Sequence, residues 1–225
     1  MFKHQEIWLP DGERHFPEWM DRNGELVDGK GTYQIKKLRA ALGHCRQFRS
    51  AIDVGGHVGL WAMQLAKRFQ QVHAFEPVPA FRECFMKNAG SMPNVSVHAC
   101  ALGAKPGRVS MTIPPLAGGL DTGGTHVGGD GDVPMYRLDD MVAEGYEKYV
   151  HIDFVKIDCE GYEHHVIEGG RQTIQRCRPC IIVEQKPHKL GPNFGIKGTP
   201  AVDLLKSWGY QVRREISGDF IMTAD

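Results

Sequence analysis

The sequence predicts an α/β domain built on a doubly wound, mostly parallel sheet, and three observations carry that prediction. Short apolar runs alternate with helix-period segments along most of the chain. One run, residues 51–54, passes through the turn Gly55-Gly56-His57-Val58-Gly59 into a helical segment, the join found in nucleotide-binding βαβ units. Finally, residues 209–216 and 219–223 flank Ser217-Gly218 as an antiparallel pair, which closes the sheet at the C-terminus.

In order along the chain, residues 1–30 carry Pro10, Asp11-Gly12, Pro17, Asn23-Gly24 and Asp28-Gly29 among aromatic anchors such as Trp8 and Trp19. They read as a turn-rich arm over the core, with His15, Phe16 and Trp19 either pinning it down or reaching the site. Residues 32–42 place Ile35, Leu38 and Leu42 at helical spacing, with Thr32 as N-cap and Gly43 as stop. The first core strand, 51–54, is followed by a helix over 60–69 with Leu60, Met63, Leu65 and Ala66 inward. A second strand, 72–76, precedes a helix over 80–88 that turns Phe81 and Phe85 in, and a third covers 94–102 with its exit loop. Residues 107–113 look like an added strand. The stretch 114–134 is so rich in glycine and proline that it reads as a structureless substrate-side loop, with Asp121 and His126 as weak site candidates. Residues 133–136 read as a strand and 138–142 as a short helix. A fourth core strand runs over 154–161, a helix over 162–168, a fifth strand over 179–184 and a helix over 202–208.

Composition sets the outer bounds. A chain of 225 residues suits one domain: an arm and helix over 1–48, then a core over 49–225. With 27 basic and 27 acidic residues the net charge is zero, so nothing demands a polyanionic partner. No apolar run reaches the length of a membrane span and the first residues lack a signal-peptide pattern, so the expected compartment is the cytoplasm. Cys177 and Cys180 form a lone C-x-x-C leading into a strand; this and the other four cysteines read as reduced packing residues.

The glycine turn points to a cofactor. Glycine permits positive φ and lets a ligand lie against main chain, while the helix start offers N–H groups. Glu76 falls where such units place the ribose-binding acid. A dinucleotide needs G-x-G-x-x-G, and here the bulky His57 stands at the second glycine, which disfavours a pyrophosphate and hence a dehydrogenase binding NAD. A smaller ligand with a ribose for Glu76, and with a carboxylate and an ammonium for the loop and Asp53, describes S-adenosylmethionine. Ala99, Cys100 and Ala101 are small enough to flank its adenine.

Lys156, Asp158 and Glu160 alternate along an apolar strand, so they share a face if the strand stays regular. Asp158 and Glu184 end neighbouring strands at the cofactor edge and can take a hydroxyl proton or hold a cation, with Lys156 tuning their charge. Two acids serve either role equally well, so a divalent metal stays open. His164, four residues after Glu160, is a further base or ligand candidate, against the plainer reading of an exposed histidine pair.

The strings Asp53-Val54-Gly55-Gly56-His57-Val58-Gly59, Phe75-Glu76-Pro77, Ala101-Leu102-Gly103, Leu138-Asp139-Asp140, Lys156-Ile157-Asp158-Cys159-Glu160-Gly161-Tyr162-Glu163 and the strand 179–184 occur in an order that resembles the FkbM family of S-adenosylmethionine-dependent methyltransferases. The resemblance covers about residues 50 to 185. It implies a Rossmann-like class I methyltransferase fold with a seven-stranded sheet and helices on both faces. It also implies O-methylation of a hydroxyl on a sugar or other small-molecule or glycan acceptor. Cofactor contacts are then expected from Asp53, Gly55, Gly56, His57, Gly59, Glu76, Pro77, Cys100, Ala101 and Asp158, with Asp158, Glu160, Lys156 and Glu184 at the transfer site. The family commonly carries Ala-Asn after the first glycine, where this chain has Gly56-His57. Two rivals stand beside this reading: a nucleotide or nucleic-acid acceptor, against which the neutral charge counts, and a non-catalytic cofactor-binding module.

Overall fold

The computed structural model describes residues 1–143, 151–186, 194–195 and 197–224. Its centre is a seven-stranded sheet of β1 (Ser50–Val54), β2 (Gln71–Phe75), β3 (Val95–His98), β4 (Ile152–Ile157), β5 (Cys180–Glu184), β6 (Tyr210–Ile216) and β7 (Asp219–Ala224). The spatial order is β6-β7-β5-β4-β1-β2-β3. The first five strands are parallel, and β7 joins antiparallel between β5 and β6. The chain reverses direction across the sheet between β1 and β4, and that reversal point is where doubly wound sheets open a crevice at their carboxyl edge.

The central strands are buried on both faces because helices cover both. Alternate residues divide cleanly. Ala51, Val72, Ala74, Phe154 and Ile182 face a core shared with α2 (Ile35–Leu42), α3 (Leu60–Leu65) and α4 (Pro79–Ala89). Ile52, Phe75, Val155, Ile157, Ile181 and Val183 face the other, shared with α5 (Leu138–Ala143), α6 (Glu163–Gly169), α7 (Arg171–Cys177) and α8 (Pro200–Ser207).

Several local expectations are corrected. The arm is regular: hairpins pair Phe2–His4 with Ile7–Leu9 and Leu26–Val27 with Lys30–Gly31, and α1 (His15–Asn23) lies between them. Its Ile7, Leu9, Phe16 and Met20 join the first core. That covering explains why every residue of α3 is buried, where the sequence pattern predicts an amphipathic helix. α2 starts at Ile35 rather than beside Thr32, whose hydroxyl instead donates to the Glu25 carbonyl at 2.7 Å. Stretch 114–134 is likewise structured. Pro115–Leu116 pairs with Gly119–Leu120, Thr122–Gly124 makes a 3₁₀ turn, and His126–Val127 pairs with Met111–Thr112. Residues 154–161 are not one strand, since β4 ends at Ile157 and Glu160 takes φ +55°.

Phe85 of α4 is fully buried, and a Cβ on Gly59, whose φ is +88°, would lie 3.0 Å from its ring. Helix α4 therefore packs directly on the turn after β1. Phe85→Ala should cost about 3–5 kcal/mol, as for other buried aromatic truncations, read as a lowered urea midpoint at unchanged slope.

Candidate active site

The site grows out of one register. In the parallel pair β1–β4, Lys156 stands opposite Asp53, so both side chains leave the same face of the sheet. Both are buried, with Lys156 Nζ 3.1 Å from Asp53 Oδ1. The same ammonium donates to the carbonyl oxygens of Gly55 at 2.7 Å and Val54 at 3.2 Å. Burial alone would lower the Lys156 pKa, but the charges of Asp53 and Asp158 outweigh it and raise the value. Burial also pushes the Asp53 carboxyl up; with a charged lysine in contact, we hold the pair as ionised. Lys156 thus pins the start of the glycine turn, and its charge also reaches Asp158 and Glu76.

Gly55 has φ +76°, and a Cβ there would stand 2.0 Å from the Asp158 carbonyl oxygen. Only glycine lets the β1 turn and the β4 exit approach this closely. The N–H groups of Gly55 and Gly56 both donate to the Phe75 carbonyl, at 3.1 and 3.0 Å. They are spent on joining β1 to β2.

A cleft of about 990 Å³, open to solvent, lies at this edge of the sheet. Its wall includes Gly55, Gly56, His57, Glu76, Pro77, Cys100, Ala101, Lys156, Asp158, Glu160 and Glu184, residues predicted from the sequence. Asp53 and Gly59 are not in the wall: Asp53 lies behind the turn against Lys156, and Gly59 against Phe85. Phe16, Tyr33, Trp61, Phe81, Thr122, Thr125 and Tyr162 complete much of the rest.

Glu76 follows β2 and is buried. Its Oε2 accepts from the His57 N–H and its Oε1 from the Val78 N–H, both at 2.8 Å. Burial raises its pKa to about 7 against the opposing pull of those two bonds. His57 has φ +47° and stacks on Phe16 with centroids 4.6 Å apart and planes at 12°; Phe81 lies at 4.5 Å on a tilt. Burial, then the charge of Lys156, lowers the His57 pKa to about 3, so the ring is neutral.

Beyond β4 the chain turns sharply, and the turn is held by Glu163. This buried carboxylate accepts from the N–H groups of Cys159 and Gly161, each at 2.9 Å, and from Gln185 Nε2 at 3.1 Å. The result brings carboxylate oxygens of Asp158, Glu160 and Glu184 within 4.8 Å of one another. Asp158 and Glu184 meet because they follow the paired Ile157 and Val183 at the ends of adjacent strands; the turn, not strand alternation, adds Glu160. Three oxygen donors suit a hard divalent cation, yet Lys186 already bonds Glu184 and supplies positive charge from the protein itself.

A family model described as the methyltransferase FkbM domain matches residues 53–212. The chain belongs to the FkbM methyltransferase family. Its methyltransferase FkbM neighbour of known structure, from Methylobacillus flagellatus KT, is 16% identical with a TM-score of 0.52. That likeness covers 80% of this chain and 45% of the other, so the chain spans less than half that protein's length. Monomeric WbdD is 12% identical with a TM-score of 0.51, covering 93% of this chain and 44% of that one. At such identities the likeness concerns the fold, a class I methyltransferase sheet. No curated protein matches this chain.

Within this FkbM-family chain, three weaker candidates fall away from the cleft. Asp121 caps the 3₁₀ turn by accepting from the Gly124 N–H at 3.1 Å, and His126 Nδ1 lies 3.0 Å from the Gly124 carbonyl. His164 lies on α6, which begins after Glu160, and approaches Glu168 at 3.7 Å. Sequence reasoning missed Glu13 and Thr122, whose side chains meet in the roof of the cleft. They are 109 positions apart, so no local spacing marks them.

Removing one member of a buried pair strands the other charge. Lys156→Met should destabilise the fold by about 3–5 kcal/mol, and adding Asp53→Leu should recover most of that. Chemical denaturation of the single and double variants checks both.

Proposed function

We propose that this protein uses S-adenosylmethionine to methylate a hydroxyl on a sugar or other small-molecule or glycan acceptor. The observation that carries the reading is a carboxylate, Glu76, set beside the glycine turn in the wall of a cleft that is also lined by Asp158, Glu160 and Glu184. In this reading Glu76 accepts from the ribose hydroxyls, Cys100 and Ala101 flank the adenine, and the sulfonium points toward the acids. Bound there, the donor supplies an electrophilic methyl group. Asp158 is then placed to take the proton from an acceptor hydroxyl as its oxygen attacks, and alignment supplies much of the remaining rate.

The glycan and small-molecule assignment comes from the family resemblance, and the neutral net charge favours it over a nucleic acid. Among the described residues no helix is long and apolar enough to cross a membrane; a cytoplasmic location belongs to the proposal alone. A one-domain organisation over 1–225 is part of the same proposal.

The test uses methyl-labelled S-adenosylmethionine with a panel of sugars, glycans and RNA, followed by mass spectrometric location of the label. Label on a sugar hydroxyl supports the reading. Label on RNA, with salt-sensitive binding, supports the nucleic-acid rival. Nucleoside binding with no transfer to any acceptor supports a non-catalytic module.

Two expected outcomes address individual residues. Asp158→Asn should leave S-adenosylhomocysteine affinity within about twofold while slowing transfer by about 10²–10⁴; unchanged turnover removes Asp158 from the chemistry. Glu76 sets a pH dependence whose sign follows from its charge. Hydroxyls donate to the ionised carboxylate, so binding below pH 7 must expel a proton. S-adenosylhomocysteine affinity should therefore rise with pH toward a plateau above 7 and fall about tenfold per unit well below it. Glu76→Gln should flatten that profile. Calorimetry across pH 5.5 to 8.5 reads both, and a flat wild-type profile removes Glu76 from the ribose.

A further inference from the structure

Glu13 of the arm, Thr122 of the 3₁₀ turn and His57 of the glycine turn form a buried chain of hydrogen bonds. Glu13 is 3% exposed. Its Oε1 accepts from the Phe16 N–H at 2.7 Å, and its Oε2 accepts from the Thr122 N–H at 3.1 Å and from the Thr122 hydroxyl. A hydroxyl has one proton to give. With that proton directed at Glu13, the Thr122 oxygen faces its other neighbour as an acceptor. That neighbour is His57 Nε2, 2.8 Å away.

Nε2 therefore carries the ring proton, and a neutral imidazole with Nε2–H leaves Nδ1 as a bare acceptor. His57 Nδ1 is buried and has no hydrogen-bond partner among the described residues. The ring lies in the cleft wall, stacked on Phe16 with Phe81 beside it. A buried acceptor without a donor is destabilising and rare in folded proteins.

We propose that His57 Nδ1 accepts a hydrogen bond from the α-ammonium of the bound nucleoside's amino-acid arm, and that Glu13 and Thr122 are positioning residues that fix the required tautomer. The inference rests on reading the cleft as an S-adenosylmethionine site. In that reading Glu76 serves the ribose, and the ammonium, which the sequence assigned to the loop and Asp53, needs an acceptor in the wall because Asp53 lies behind the turn against Lys156. The ring reaches Thr122 on one side and keeps a lone pair on the other.

The test compares S-adenosylhomocysteine with 5′-methylthioadenosine, which has the same nucleoside but no amino-acid arm. His57→Phe keeps an aromatic ring between Phe16 and Phe81 without either nitrogen. It should weaken S-adenosylhomocysteine by about tenfold or more, as for loss of a bond to a charged group, and leave 5′-methylthioadenosine within about twofold. Equal losses for both ligands, or no loss for either, overturn the proposal. Nitrogen-15 NMR of the ligand-free wild type supplies a second readout that does not depend on a variant folding. It should show the Nε2–H tautomer at His57, and Thr122→Val should yield a tautomer mixture. An Nδ1–H ring in the wild type overturns the proposal. Wild-type protein that binds neither nucleoside overturns the cofactor reading as well, whereas wild-type binding indifferent to His57 overturns this inference alone.

Discussion

Lys156 lies beneath the glycine turn with its ammonium against Asp53 and the carbonyl oxygens of Val54 and Gly55. A lysine buried this deeply is tolerated only with compensation from every side, and here the compensating groups belong to the strand beside it and to the turn that follows. The charge therefore fixes the distance between the carboxyl ends of β1 and β4. The approach of Gly55 to the Asp158 carbonyl depends on that spacing, as does the direction in which the chain leaves β4. A charged pair in the middle of a sheet is a poor source of net stability, but it discriminates strongly against a slipped register, because a one-residue shift would strand both charges.

From that junction the two walls of the cleft develop by different means. Around the glycine turn the wall is held by strand-to-strand bonds, and Glu76 there is anchored by two backbone N–H groups. Beyond it Asp158 and Glu184 end adjacent strands, and a turn folded around Glu163 adds Glu160. Burial pushes Glu163 itself to a pKa of about 7, so the turn is organised by a carboxyl whose own charge is disfavoured. The acids line the cleft, and Lys186 bonds Glu184.

The roof is supplied by segments far from both. Phe16 and Tyr33 of the arm meet His57 and Phe81 of the core in one aromatic group, and Thr122 of the glycine-rich stretch joins it through Glu13. Glycine in that stretch serves tight local pairing rather than looseness. Gly119 lies so near the Gly12 carbonyl that a side chain there would collide. The arm, the stretch and the turn therefore behave as one packed layer over the site.

The sequence by itself determined the alternating α/β order, the glycine turn between β1 and α3, the acid after β2 and the closing antiparallel pair. Each of these is set by periodicity or by a local backbone requirement that neighbouring residues satisfy among themselves. It also brought most of the cleft residues to one edge, since strand ends in a parallel sheet share an edge. Only the tertiary structure decided that Lys156 turns inward to Asp53, that Glu160 reaches its neighbours through a turn rather than along a strand, and that Glu13 and Thr122 meet over His57. Those outcomes depend on contacts between residues as many as 109 positions apart, and no spacing within a single segment encodes which distant partner will satisfy a buried polar group.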